Sequence, residues 1–357
     1  MDAGGVDNRT IAGVQMLRLV AALAVLAHHA EGVGYHLGRY RGVELARPEI
    51  LLAGACGVDL FFAISGFIMV VSAQRLLGTQ RPRLVFFQHR LVRIVPLYWL
   101  MTAFALAWGW RFGPPFDLTT ALHAFAFLPY APDGLPPLKS MPLLVAWTLY
   151  YEMLFYVIFA ACLASTMPTT VRRVLTALAA LVAAGAVFDL PQPFAFWAEP
   201  IVMEFGGGMV IGLAYARGMV VNGWVRAALV AVAAALVLAT DYTAIGRLNG
   251  WDRTLTWGVA GWLILSAVVL GPLRLPALRL WSIGGAISYA LYLVHMPLLN
   301  AVQFIWRHFK WPYGPAHELA FVVGTMAASI LAALILHRAF ERPVTKRLNL
   351  WLNPAAR

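Results

Sequence analysis

Apolar residues run along this chain in long blocks separated by short polar, Pro- or Gly-containing joints. An α-helix needs about 20 consecutive apolar residues to cross ~30 Å of hydrocarbon. Sliding that length along the sequence predicts about ten spans, near residues 14–31, 51–73, 91–111, 143–163, 170–188, 199–217, 223–241, 255–271, 283–306 and 316–338. No internal repeat, low-complexity tract or appended soluble domain breaks the series. The pattern therefore predicts an all-α polytopic integral membrane protein, one bundle and one domain over 1–357. The helical core covers about 14–338, and a short basic tail over about 343–357 docks at the inner leaflet.

Composition excludes the alternatives to a membrane protein. Hydrophobic residues make up 61% of the 357-residue chain and charged residues 12%, and the mean hydropathy is +0.74, far from a soluble globule. The net charge of +11 does not point to nucleic acid, because the basic residues are scattered through short joints without an aromatic-interleaved face. Their distribution instead sets orientation. With the N-terminus in the cytoplasm, the inner side takes the larger share of the 27 Lys and Arg, so both termini are expected in the cytoplasm. MDAGGVDNRT lacks a cationic n-region and a small-residue cleavage site, so no removed targeting segment is expected. Cys56 and Cys162 lie in or beside apolar stretches and are read as packing residues. The two long outer connections are 32–50 and 111–142; the second is rich in Pro, so no continuous helix is expected there. Its LHAFAF patch is expected to lie at the interface or fold back over the bundle.

Against this background the polar residues inside spans stand out, since each costs several kcal/mol in hydrocarbon unless partnered. The first span carries Arg18 near one end and His28 and His29 near the other, Arg18 and His29 being roughly 16 Å apart along the axis. GVDLFFAISGF puts Asp59 at the start of the second span, as an N-cap, as the partner that orients His29, or as both. In HRLVRIVPLYW, Arg90 and Arg93 share a helix face. They suit either a phosphorylated ligand or plain anchoring at the inner interface. WTLYYEMLFY buries Glu152 among aromatics, where a carboxylate serves as a base or as the orienter of one. Glu204 is a weaker candidate, His295 of ISYALYLVH is read as structural, and Glu341 of FERP is read as a helix terminator paired with Arg342. Tyr98, Trp147 and Tyr151, from the same runs, are candidate substrate-binding residues.

Taken together and in order, Arg18 with His29, GVDLFFAISGF, RLVRIVPLYW, WTLYYEMLFY, and ISYALYLVH followed by ERP resemble the acyltransferase-3 family of membrane O-acyltransferases. The likeness covers the whole chain and is greatest to the stand-alone bacterial type that acylates exopolysaccharide. The resemblance implies transfer of an acyl group, with acetyl favoured, from cytoplasmic acetyl-CoA or another acyl-CoA. The acceptor would be a hydroxyl of a polysaccharide or lipid-linked glycan, with no metal required. It also implies roles: His29 as catalytic base, chosen over His28 by the family spacing alone, Asp59 or Glu152 as its orienter, and Arg18, Arg90 and Arg93 on the phosphates of the donor. Two other classes predict different behaviour. A transporter or flippase would move lipid, acyl or glycan without consuming acyl-CoA, and a scaffold subunit would tolerate substitution of these polar residues.

Overall fold

The computed structural model describes residues 8–43, 49–113, 115–132, 137–240, 250–273 and 275–352. Residues 44–48 of the first predicted connection, 114 and 133–136 of the second and 353–357 of the tail lie outside the described residues. Among the described residues every regular element is helical.

Seven helices among the described residues are long and apolar enough to cross a membrane: Thr10–Tyr40, Ala53–Leu76, Pro82–Phe112, Leu144–Cys162, Met167–Val187, Leu278–His308 and Pro315–Leu352. The protein is thus a multi-pass membrane protein. The predicted count of about ten is not reached by this measure. Windows 199–217 and 223–241 form the shorter apolar helices Pro200–Ala216 and Gly223–Leu238. Window 255–271 is reached through Trp251–Arg253, which brings in Asp252 and Arg253, and a π-helical turn at Thr254–Gly258.

We number the principal helices α1 (Asn8–Tyr40), α2 (Gly57–Ala73), α3 (Pro82–Phe112), α4 (Leu118–Phe125), α5 (Trp147–Cys162), α6 (Met167–Val187), α7 (Met203–Ala216), α8 (Gly223–Leu238), α9 (Val259–Val269), α10 (Leu278–His308), α11 (Pro315–Leu336) and α12 (Arg342–Leu352). Helix α1 packs along α10, and α2 crosses α7. That second crossing is tight for a sequence reason. A Cβ at Gly66 would sit 2.0 Å from the Phe205 carbonyl oxygen, and one at Gly208 would sit 2.0 Å from that of Ala63. Bare glycines on both partners let the backbones touch, which is how helices gain contact where lipid removes the hydrophobic drive. Phe205 then stacks on Phe62 and on Phe155, each at 4.4 Å between ring centroids, joining α2, α5 and α7 around one aromatic core.

Two boundaries differ from the sequence expectation, and a third agrees with it. Helix α1 runs nine residues beyond its predicted end at 31, to Tyr40, so much of the first predicted connection is helix. Glycines at 32, 34 and 38 disfavour helix by about 1 kcal/mol each. They are outweighed by the packing of Ala30 and Leu37 against Leu299, Tyr313 and Phe321. The second connection does break, and Asp117 caps α4 by accepting from the Thr120 amide at 2.7 Å. Helix α4 folds back onto α3, where the Tyr98 hydroxyl donates to the Ala124 carbonyl at 2.5 Å and Trp99 Nε1 donates to that of Phe125 at 2.9 Å. FERP, finally, does not close the last span. A π-helical turn at His337–Glu341 carries the chain into α12; its widened hydrogen-bond pattern tolerates the missing N–H of Pro343. Glu341 accepts from His337 Nδ1 at 2.9 Å rather than pairing with Arg342.

Candidate active site

Helices α1, α2, α3, α5 and α10 enclose a cavity with about 740 Å³ of empty space, its mouth included. Its wall carries Arg18, Arg90, Arg93 and Glu152, together with Ser65 and Tyr156. The local reason is helical spacing. Arg90 and Arg93 fall on one face of α3, and Glu152 and Tyr156 are four apart on α5. Glu152 Oε1 accepts from the Ser65 hydroxyl at 3.1 Å and, by a shorter bond, from the Tyr156 hydroxyl. Arg90 donates to the Ser72 hydroxyl at 2.7 Å and lies over the rings of Phe86 and Tyr156, while buried Arg18 reaches Gln15 Oε1 at 3.4 Å. Three guanidinium groups thus share a half-enclosed wall with one carboxylate, and the balance of charge favours an anionic occupant.

At its other end the cavity stops at Phe61, Thr148 and Tyr292. The Tyr292 hydroxyl lies 2.9 Å from that of Thr148 and donates to the Val145 carbonyl at 3.0 Å. The Tyr292 ring meets that of His295, centroids 5.9 Å apart. Beyond it lies a histidine pair, with His29 Nδ1 3.0 Å from His295 Nε2. His295 Nδ1 is 3.1 Å from the Leu291 carbonyl, and that oxygen can only accept. For neutral rings the tautomers follow in sequence. His295 is protonated on Nδ1, its Nε2 accepts from His29 Nδ1–H, and His29 Nε2 is left as an unprotonated base. His28 packs edge-on against His29, centroids 5.1 Å apart.

Residues 11–338 match the family model for acyltransferase-3, described as an acyltransferase domain. The chain belongs to the acyltransferase-3 family. It is an acyltransferase, built here as a multi-pass membrane protein. The exopolysaccharide production protein ExoZ of Rhizobium meliloti (strain 1021) is 31% identical over 334 residues, which cover 90% of this chain and 95% of that protein. No solved structure matches.

Within this acyltransferase the candidate residues fall into separate groups. Arg18, Arg90, Arg93 and Glu152 come together on one cavity wall. His29 stands apart, beyond Tyr292, and neither expected carboxylate orients it. Glu152 is engaged with Ser65 and Tyr156. Asp59, fully buried, is held by Arg253 through two bonds of 2.9 Å to its two oxygens. A guanidinium fork satisfies both carboxylate oxygens at once, so Asp59 is spent as a counter-ion. Tyr98, Trp147 and Tyr151 do not line the cavity. Tyr98 tethers α4, Tyr151 donates to the Phe196 carbonyl at 2.6 Å, and Trp147 lies under Arg253, 5.7 Å from ring centroid to guanidinium carbon.

Two partners were not legible as such in the sequence. Arg253 reads as one more charge beside a span, and only the fold carries it to Asp59, 194 positions away. His295 reads as structural because its partner is 266 positions away. Tyr156 was within reach, since a hydroxyl four residues after a buried Glu is placed to donate to it.

Proposed function

We propose that this acyltransferase moves an acyl group, acetyl in the simplest case, from acyl-CoA to a hydroxyl of an exopolysaccharide or of its lipid-linked precursor. The supporting observation is the cationic cavity of Arg18, Arg90 and Arg93 leading toward an imidazole whose Nε2 is left basic by the His295 contact. The exopolysaccharide acceptor is carried over from the name of the similar ExoZ protein. The basic end is taken as cytoplasmic, from which the donor enters an inner membrane with both chain termini inside, and the histidine end as facing the acceptor.

The mechanism follows from the groups present. The arginines hold the donor's phosphates, and the pantetheine arm extends through the cavity past Tyr292, which must turn aside to admit the thioester. His29 Nε2 takes the proton of the acceptor hydroxyl as its oxygen attacks the thioester carbon. The C–S bond breaks, the new C–O bond forms, and the proton passes from His29 to the departing thiolate, giving free CoA. His295 keeps His29 in the reactive tautomer throughout, the part a carboxylate plays in the serine protease triad. Glu152 keeps the arginine cluster from being wholly cationic and anchors Ser65 and Tyr156 beside the arm.

The test is release of CoA thiol by purified protein given acetyl-CoA and the native glycan precursor, with labelled acetyl followed into the glycan. His29→Ala is expected to abolish both signals while the protein still folds in the membrane. Substantial transfer by that variant removes His29 from the chemistry. Glycan movement without thiol release by the wild type points to a transporter.

A further inference from the structure

Arg90 and Arg93 line two spaces. One is the reaction cavity, and the other is a cleft of about 1010 Å³ of empty space, open mouth included, whose remaining wall is His89, Thr345, Lys346, Asn349 and Leu350. Helix α3 contributes positions 89, 90 and 93, and α12 contributes 345, 346, 349 and 350. Each set has the spacing of a single helix face. The cleft exists because the π-helical turn at His337–Glu341 prolongs the last span into α12 and lays it against α3. The predicted basic tail therefore forms a protein wall beside the two arginines. Two polar atoms in this wall, Arg90 Nε and Asn349 Oδ1, are buried without a hydrogen-bond partner. Buried polar groups are rarely left so unless a ligand or water completes them.

We infer that this cleft binds the 3′-phosphorylated adenosine end of the acyl-CoA donor, an assignment that rests on the acyl-CoA reading above. Arg90 and Arg93, at the boundary between the two spaces, take the diphosphate with their planar forks. Lys346, exposed at the rim, takes the ribose 3′-phosphate as a point charge, and Asn349 hydrogen-bonds the adenine. Sharing of the arginines aligns the nucleotide outside with the pantetheine arm inside, so α12 is part of the donor site. An anionic lipid headgroup is the other source of phosphate at this position.

The discriminating ligand is dephospho-CoA, which lacks only the 3′-phosphate. Calorimetric titration of the full-length protein in neutral detergent is expected to show CoA binding tighter than dephospho-CoA by on the order of tenfold. Lys346→Gln should erase the preference by weakening CoA alone, and Lys346→Glu should reverse it. Equal binding of the two ligands by the wild type, or a preference that survives Lys346→Glu, overturns the inference while leaving CoA as the donor. Failure of the wild type to bind either ligand overturns the donor reading itself. Lys346→Gln protein that binds phosphatidylglycerol vesicles less well but keeps its preference for CoA gives the lysine to the lipid, and also overturns it.

Discussion

Removing the imidazole of His295 tests how the base is held. His295→Ala deletes the acceptor 3.0 Å from His29 Nδ1 at a site where His295 itself is fully buried. An unsatisfied buried donor costs about 1–3 kcal/mol. His29 escapes that cost by rotating or by moving its proton to Nε2, and either change withdraws the base. At about 1.36 kcal/mol per tenfold in rate, the turnover number should fall roughly 5- to 160-fold. His295→Gln places an amide oxygen near the lost Nε2 and should recover most of the loss. Donor affinity should not move, because Arg18 lies roughly 16 Å from His29 along α1, and Arg90 and Arg93 share the cavity wall with Arg18, a wall that His295 does not line. Single-turnover thiol release beside calorimetric CoA binding separates the two effects. Undiminished turnover in His295→Ala would refute the orienting role. Equal loss in both variants together with lost CoA binding would make His295 a packing residue.

Variants at two further pairs, Arg90 with Arg93 and Asp59 with Arg253, test the remaining groups. The Arg90→Gln, Arg93→Gln double variant should weaken CoA binding on the order of tenfold or more without affecting pantetheine, which carries no phosphate; unchanged CoA affinity returns the pair to interface anchoring. Asp59→Asn leaves the Arg253 guanidinium without its counter-ion, and breaking a buried pair costs about 3–5 kcal/mol. The expected result is a large fall in melting temperature in detergent, partly restored when Arg253 is also made Met. A variant of full stability that has lost transfer would instead put Asp59 in the chemistry.

The one-dimensional pattern was enough to determine that the chain is helical and embedded, because twenty-residue apolar blocks have no other stable home. It was also enough to pick out Arg18, His29, Arg90, Arg93 and Glu152, because a polar group inside such a block must have a partner. Local spacing carried the shared face of Arg90 and Arg93, while the cap at Asp117 came from the structure. The partners themselves came from the tertiary structure. His29 with His295 and Asp59 with Arg253 are meetings across helices distant in sequence, which no periodicity encodes, and they replace the carboxylate–histidine contact that short-range reasoning preferred. The same holds for where helices end. Glycines at 32, 34 and 38 and the proline at 343 are stop signals in isolation, yet α1 continues because packing on α10 and α11 outweighs backbone preference. A π-helical turn likewise carries the last span past Pro343 into a wall of the cleft beside Arg90 and Arg93. Residue chemistry limits what each position can do, and the long-range packing of the bundle selects which of those possibilities is used.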